Sequence, residues 1–377
     1  MIAELPAEKT GLHFYLPSFA GGGAERIFIR IANHLAAEGR PVCFIVNHDG
    51  GPLKGMLSEQ VELEILGTRR GPLAVMALAQ ILRRRQPDIL ISALTRTNIV
   101  ALLAARLAGQ ATRVIVCERN QYSSFVQTFD PVRRWGVGRL VRWLYPTAHA
   151  VIGNTRDVAL DIAQAARLAP DKTAVIPNPA PDHAELEAAR GTPPDHAWFK
   201  LGGPVAVAIG RLVPQKDYPT MLEAVAQSGD TLRLAILGTG PEKAAIEAHA
   251  NHLGIADRVD LLGFRMDRLA YLVHADLFLL SSITEGFPNA LIEAVSAGIP
   301  AVTTDCAGGG AREIMGTEFP DRIVPVGEAS AMAGVIRSIL EAEASGPQSA
   351  ERDRARRIAQ RFEIGATADA FLARATA

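Results

Sequence analysis

Four charged residues in the second half of the chain have types and spacing that could do chemistry. Arg211 and Lys216 lie in Gly210-Arg211-Leu212-Val213-Pro214-Gln215-Lys216-Asp217, and Glu285 and Glu293 lie in DLFLLSSITEGFPNALIEAVSAGIP, from Asp276 to Pro300. The two cations suit a diphosphate. Arg211 leaves a strand end and Lys216 precedes a helix N-terminus, so a diphosphate would meet a planar fork, a point charge and helix N–H groups together. The two acids gather near the carboxyl end of another strand, where ligands collect in open parallel sheets. Each residue taken alone also fits a plainer role: a surface cation, a loop glutamate or a solvated helix glutamate.

The elements that must position these groups are legible around them. The apolar run Leu277 to Leu280 predicts a buried strand, and Ser281 to Gly286 supplies turn residues. Pro288 suits the first turn of a helix running from Asn289 to Ala297, with Gly298 closing it before Pro300. Glu285 is then on the loop and Glu293 inside the helix, and Ala301 to Thr304 completes a β-loop-α-β unit. Upstream, Pro204 to Ile209 predicts the strand that delivers Arg211, and Pro219 opens a helix lasting to Gln227. Leu232 to Leu237 leads into Gly238-Thr239-Gly240-Pro241, and Val259 to Leu262 into Gly263-Phe264. The roughly 75 positions between the basic and acidic segments fit several intervening β-α units.

In the first half, the strand Leu12 to Leu16 leads to Gly21-Gly22-Gly23 and a helix with Ile27, Ile31, His34 and Leu35 at helical spacing. Glycines there either let backbone N–H groups approach a phosphate or sugar, or simply make a tight turn. The run is neither G-x-G-x-x-G nor a P-loop. Further strands are predicted at Val42 to Val46, Ile89 to Ser92, Val114 to Cys117 and Val151 to Asn154, with helices at Leu73 to Arg85 and Asn98 to Gly109. Glu118, Arg119 and Asn120 follow a strand's carboxyl end and read as acceptor contacts or as a salt-bridged loop. Val132 to Tyr145 predicts an amphipathic helix. Val137, Leu140, Val141 and Leu144 would pack inward, while Trp135, Arg139, Arg142 and Trp143, with Arg134 beside them, suit an anionic membrane headgroup layer. The alternative is a surface helix whose tryptophans cover neighbouring loops.

Composition bounds the rest. With 377 residues, 48% of them hydrophobic, the chain can bury two cores. Its three cysteines, Cys43, Cys117 and Cys306, form no CxxC, which points to a reducing compartment and no zinc site. No apolar run approaches a membrane span, and the N-terminus lacks the apolar block of a signal peptide, so a cytoplasmic protein is predicted. Net charge is −1, but residues 1–180 carry 21 Lys+Arg against 14 Asp+Glu and the remainder 18 against 26. A basic first half suggests an anionic surface or a phosphorylated acceptor. No nucleic-acid motif accompanies it, so nucleic acid is not an expected partner. The proline-rich, charged stretch from Pro181 to Pro194 marks the expected boundary between domains 1–180 and 181–350. Residues 351–377 are expected as a helix anchored by Ile358, Phe362, Phe371 and Leu372.

Glu285-Gly286-Phe287-Pro288-Asn289 followed by Leu291-Ile292-Glu293-Ala294 resembles the paired-glutamate motif of the retaining family 4 glycosyltransferases of GT-B fold (glycosyl transferases group 1), and GRL…K resembles their basic pair. The resemblance implies two Rossmann-like α/β domains facing across a cleft, with the C-terminal helix returning to the first, acceptor-binding domain. It implies that Glu285 lies beside the sugar, that backbone amides from Gly286 to Leu291 help hold it, and that Glu293 accepts from the ribose hydroxyls. Arg211 and Lys216 would hold the diphosphate as it leaves. Gly22 and Gly23 would face the sugar, and Gly210, Gly238 and Phe264 the nucleotide. Many members place a histidine near Glu118; here there is none. The implied activity is transfer of a hexose or N-acetylhexosamine from a nucleoside-diphosphate sugar, such as a UDP-sugar, to a glycan or polyprenyl-diphosphate-linked acceptor in cell-surface polysaccharide or glycolipid synthesis. The enzyme would sit peripherally on the cytoplasmic face of the inner membrane. No D-x-D motif appears, so no metal cofactor is expected. The rival readings are a nucleotide-sugar epimerase of the same fold and a non-catalytic sugar-nucleotide-binding protein.

Overall fold

The computed structural model describes residues 11–109, 111–344 and 349–376. It divides into two compact units, one formed by the chain up to Pro179 together with Ile364 onward, the other by Ala180–Glu363.

The first unit is built on seven strands: β1 Leu12–Leu16, β2 Val42–Val46, β3 Glu62–Ile65, β4 Ile89–Ala93, β5 Arg113–Glu118, β6 Ala150–Gly153 and β7 Thr173–Val175. Their order is β3-β2-β1-β4-β5-β6-β7 and every pairing is parallel. Parallel strands need helical crossovers on both faces, and the strand side chains alternate accordingly. Leu12, Phe14 and Leu16 of β1 join one core, whereas Tyr15 joins the other. Strand β3 has no counterpart in the sequence reading. Its Glu-Leu-Glu-Ile pattern is that of a partly exposed edge strand rather than an apolar run.

The second unit carries β8 Val205–Ile209, β9 Arg233–Leu237, β10 Val259–Gly263, β11 Leu277–Leu280, β12 Ala301–Thr304 and β13 Ile323–Val324, in the order β10-β9-β8-β11-β12-β13, again all parallel. The chain runs outward in one direction from β8 to β10 and in the other from β11 to β13. The switch point therefore lies between β8 and β11, which pair through Leu277 with Ala206 and Phe278 with Val207. Loops leaving the carboxyl ends of two such neighbours diverge and open a crevice between them.

The boundary segment is more ordered than its composition suggests. A helix, His183–Arg190, forms inside it because Asp182 and Glu185 make a reciprocal capping box. The C-terminal segment is two helices rather than one. Ser349–Arg361 belongs to the second unit, where Ile358 and Phe362 are buried and Phe362 meets Phe287 edge-on at 5.1 Å. Ile364–Thr376 belongs to the first, where Phe371 lies 5.9 Å from Phe28. Burying such a phenylalanine contributes about 1.5–3 kcal/mol, so each half is held by its own anchor and the chain breaks between them.

Candidate active site

The loops after β8 and β11 bring Lys216 and Glu285 together. Lys216 Nζ lies 2.5 Å from Glu285 Oε1, and both side chains keep a fraction of their surface in reach of solvent. Ser282 Oγ donates to the same Glu285 oxygen at 2.9 Å. The scaffold beneath them is hydrogen-bonded on every side. Ser281 Oγ donates to the Lys216 and Asp217 carbonyls at 2.7 and 2.8 Å, Gln215 Nε2 to the Thr284 carbonyl at 2.6 Å, and the Ile283 N–H to the Gln215 carbonyl at 2.9 Å. Thr304, ending β12, donates to the Ser282 carbonyl at 2.6 Å. Tyr218 donates to the Gly210 carbonyl at 3.2 Å; burial, reinforced by nearby Glu285, raises its phenol so that it stays protonated. Arg211 is exposed at the start of the same loop, where its carbonyl accepts from the Val213 N–H at 3.0 Å and its guanidinium has no hydrogen-bond or ion-pair partner among the described residues.

Close backbone approaches fix the loops. Gly308 has φ +101°, and a Cβ there would stand 1.7 Å from the Glu285 carbonyl oxygen; the Glu285 N–H in turn donates to the Ala307 carbonyl at 2.9 Å. Gly238 has φ +154°, and its Cβ would stand 1.8 Å from the Gly210 carbonyl oxygen. Only glycine meets both demands. A side chain on Gly210 would press on Lys216 Cε at 2.9 Å and shift that side chain. Cys306, in the same glycine-rich turn, is buried, and that pushes its thiol up to about 12; it is inert packing.

Glu293 sits in the helix Asn289–Ser296 and is buried. Pro288 stands at the N-cap, one position before the first helical turn where the sequence placed it, and its carbonyl receives the Leu291 and Ile292 N–H groups at 3.1 and 3.3 Å. Gly286 is buried and Asn289 half-buried. The side chains of Phe287 and Leu291 lie in the core, so these two residues can offer a ligand only their backbone. Phe264, just beyond β10, is 43% exposed and free to stack.

The first unit places its candidates differently. Gly22 is the N-cap of the helix Gly23–Ala37, and a Cβ on it would collide with the Glu25 carboxylate; Gly23 is exposed. Glu118, Arg119 and Asn120 do not face one surface. Glu118 ends β5 fully buried and receives Tyr145 Oη, Thr95 Oγ1 at 2.8 Å and Asn98 Nδ2 at 3.2 Å. Burial raises its carboxyl to about 7 despite those donors. Arg119 projects to the opposite side of the sheet, donates to Asn178 and lies 5.2 Å above the Phe28 ring; burial lowers its guanidinium to about 10. Only Asn120 is exposed. The salt-bridged loop expected as the alternative is absent too, because alternation along the strand sends the acid and the base to opposite cores.

The basic helix is Pro131–Leu144, N-capped by Asp130, which accepts from the Arg133 N–H at 3.0 Å. Of the four residues expected to pack, Val141 and Leu144 are fully buried, but Leu140 is 37% exposed at the edge of the face. Trp135 and Trp143 are 66% and 56% exposed, with Arg139 over Trp135 at 5.1 Å and Arg106 over Trp143 at 4.6 Å. Arg134 and Arg142 reach the Gln127 and Ala165 carbonyls, both at 3.3 Å. No helix among the described residues is long and apolar enough to cross a membrane.

Sequence reasoning missed Ser282, Gln215 and Arg268 around this site. Gln215 acts by bonding to a loop distant in sequence, and Ser282 by a local bond to Glu285 three positions on. Arg268, at the start of the helix Arg268–Val273, forms a two-pronged ion pair with Glu293 at 2.9 and 2.5 Å, and in sequence it reads as ordinary surface charge.

Comparison with known proteins places this geometry in context. Residues 197–361 match the family model described as Glycosyl transferases group 1, and residues 21–182 that described as Glycosyltransferase Family 4. The chain is 26% identical over 350 residues to N-acetylgalactosamine-N,N'-diacetylbacillosaminyl-diphospho-undecaprenol 4-alpha-N-acetylgalactosaminyltransferase of Campylobacter jejuni, covering 89% of this chain and 90% of that one. It is 26% identical to the lipopolysaccharide core biosynthesis glycosyltransferase LpsE of Rhizobium meliloti, covering 93% and 95%. Among solved structures, Anabaena HepE in complex with UDP and glucose superposes with a TM-score of 0.80 at 20% identity, covering 96% of this chain and 98% of that one, a likeness of fold.

Proposed function

Because the chain belongs to the family 4, group 1 glycosyltransferases and folds as two Rossmann-like units of the GT-B class, we propose that this transferase moves a hexose or N-acetylhexosamine, with retention of configuration, from a nucleoside-diphosphate sugar to a polyprenyl-diphosphate-linked or other glycan acceptor. A UDP-sugar is the donor we favour, since HepE is described with UDP and glucose. The lipid-linked acceptor follows the names of the Campylobacter enzyme and of an Escherichia coli UDP-Gal:alpha-D-GlcNAc-diphosphoundecaprenol alpha-1,3-galactosyltransferase, 25% identical over 70% of this chain and 71% of that one.

The observation that carries the reading is Lys216 against Glu285 at the β8/β11 switch point, with Arg211 unpaired at the head of the same loop. Arg211 and Lys216 would neutralise the departing diphosphate, the electrostatic contribution that usually dominates in such transfers. Glu285, fixed by Ser282 and by the glycine contact at 308, would orient the sugar while holding Lys216 in place until the donor arrives. Backbone N–H groups of Gly286, Phe287 and Asn289 would hold the sugar, Glu293 the ribose, and Phe264 the base. Charge on the leaving group is thereby assigned to side chains rather than to a metal ion. Asn120 is the acceptor contact we retain. The exposed Trp135 and Trp143, with Arg134, Arg139 and Arg142 on the same helix, would seat the enzyme on an anionic membrane where its acceptor resides.

Incubation with UDP-, GDP- and ADP-sugars, with and without lipid extract, tests the reading. Transfer of label to extractable lipid or glycan is expected. Sugar interconversion without an acceptor would make the protein an epimerase, and binding without turnover would make it a sugar-nucleotide-binding protein.

A further inference from the structure

The lysine assigned to the diphosphate is itself engaged by an acid. Lys216 Nζ sits 2.5 Å from Glu285 Oε1, and the two side chains are only 16% and 12% exposed. Asp217, the acid next to Lys216 in sequence, is turned to Thr220, whose Oγ1 donates to it at 2.7 Å, so the charge of Lys216 is committed to Glu285. The buried Ser282 Oγ donates to the same Oε1 at 2.9 Å, whereas Oε2 has no hydrogen-bond partner among the described residues. Glu285 thus has one oxygen held from two sides and one left open.

The carboxylate therefore has two claimants. Lys216 is the first, and while the pair holds, a cation beside a carboxylate presents little net charge to a phosphate; at such low exposure water does not screen that cancellation away. Sugar hydroxyls are the second, since an ionised carboxylate accepts from several donors and offers none. With a donor sugar in place, Glu285 is satisfied by hydroxyls and by Ser282, and Lys216 is released to the diphosphate. After transfer those hydroxyls are gone, a mostly buried carboxylate is left short of a partner, and Lys216 is the partner within reach. The nucleoside diphosphate left behind bears more negative charge than the same diphosphate esterified to a sugar. Without a counterweight, Arg211 and Lys216 would hold this product more firmly than the donor it came from.

We propose that Glu285 is a product-release latch: it yields Lys216 to the diphosphate while a sugar is bound and reclaims Lys216 after transfer, which weakens the hold on the nucleoside diphosphate. The proposal rests on the reading of Lys216 as the cation of the diphosphate and of Glu285 as the sugar contact. Ser282 bonds to Glu285 from three positions earlier in the same loop, so this bond survives the departure of Lys216 and keeps the carboxylate where the lysine can return to it. Loss of the carboxylate then has a direction that a sugar contact alone would not give, namely tighter binding of a diphosphate that bears no sugar.

The experiment is calorimetric titration of UDP, GDP and ADP, none of which carries a sugar, into wild type, Glu285→Gln, Lys216→Ala and the double variant. Glu285→Gln keeps the shape and the acceptor for Ser282 but has no charge with which to hold Lys216. It should bind the diphosphate of its base about tenfold more tightly than wild type, the scale of one hydrogen bond to a charged group, and release it correspondingly more slowly. Lys216→Ala should weaken binding by about tenfold or more on the same scale. Adding Glu285→Gln to Lys216→Ala should then change affinity by no more than about threefold, because the latch acts only through the lysine. An unchanged or weaker affinity in Glu285→Gln overturns the inference and leaves the diphosphate reading in place. So does a gain that persists in the double variant, which would be bare repulsion between carboxylate and phosphate. Should Glu285→Gln fail to fold, Glu285→Ala is compared in the same two backgrounds and decides by the same outcomes. Wild-type affinity in Lys216→Ala, or no diphosphate binding by wild type, overturns instead the reading of Lys216 beneath it, and the inference with it.

Discussion

The carboxyl edges of the two sheets treat charge in opposite ways. After β8 and β11, a lysine and a glutamate meet 2.5 Å apart with solvent still able to reach both. After β5, a glutamate and an arginine adjacent in sequence are both buried and lie on opposite faces, held by neutral donors or by an aromatic ring. Topology explains the contrast. The β8/β11 pair is the point at which the second sheet reverses direction, so its loops splay apart. In the first sheet the reversal lies between β1 and β4, and β5 is one strand beyond it, roofed by Tyr145 and by the helix that begins at Thr95. Being at the end of a parallel strand is therefore insufficient to make a charged residue functional.

The largest effect should come from Lys216. On the proposed reading, replacing it with alanine removes a charge that would hold the departing diphosphate, and turnover should fall by about 10²–10³-fold while circular dichroism remains that of the wild type. Equal rates for the two proteins would place the reactive edge elsewhere. Gly308→Ala attacks the same edge through the backbone. Its positive φ and the 1.7 Å approach to the Glu285 carbonyl should lower stability by about 3 kcal/mol or more, read from denaturant midpoints, and should disturb Glu285. Gly334 is the contrasting position: nothing lies within 4 Å of a Cβ there, it sits inside the helix Ala329–Ala344, and its alanine variant should gain about 0.5–1 kcal/mol.

Glu118 tests the other side of the comparison through pH. Its carboxyl is raised from 4.5 to about 7 in the folded protein, chiefly by burial, so between those values the native state holds a proton that the unfolded chain has lost. This group's contribution is then most favourable below pH 4.5 and declines as pH rises toward 7, by up to about 3 kcal/mol in total. Glu118→Gln should flatten that part of the stability profile. An unchanged slope between pH 5 and 7 would mean that Glu118 is ionised in the fold and more open than its surroundings imply.

Much of this contrast could be read before any coordinates. Strands β1, β8 and β11 announce themselves as apolar runs, and GRLVPQKDYP and EGFPNALIEA carry their turn and helix-start residues locally. What could not be read depends on contacts distant in sequence. Gln215 and Ser281 look like ordinary loop polars until β8 and β11 become neighbours. Arg268 finds Glu293 25 positions away. Glu118 looks like an exposed strand-end acid until Tyr145, 27 positions later, closes over it. Periodicity reports which face a side chain takes, but not which neighbour covers that face.

The helix Pro131–Leu144 offers the smallest and most conditional effect, because here charge lies on the open surface rather than at a strand end. Trp135 and Trp143 are mostly exposed, yet each already has an arginine over its ring, Arg139 and Arg106. If those contacts serve only to cover the rings, truncating both tryptophans to alanine leaves liposome sedimentation as it was. If the rings sit among headgroups with arginines on the phosphates, the double variant should sediment severalfold less with anionic vesicles. The residual binding should then weaken as salt shortens the screening length below about 10 Å. Vesicles of zwitterionic lipid separate the two contributions, since the aromatic part persists there while the arginine part does not. Salt-independent sedimentation that survives loss of both rings would remove this helix from the membrane surface and leave the basic balance of the first unit without that partner.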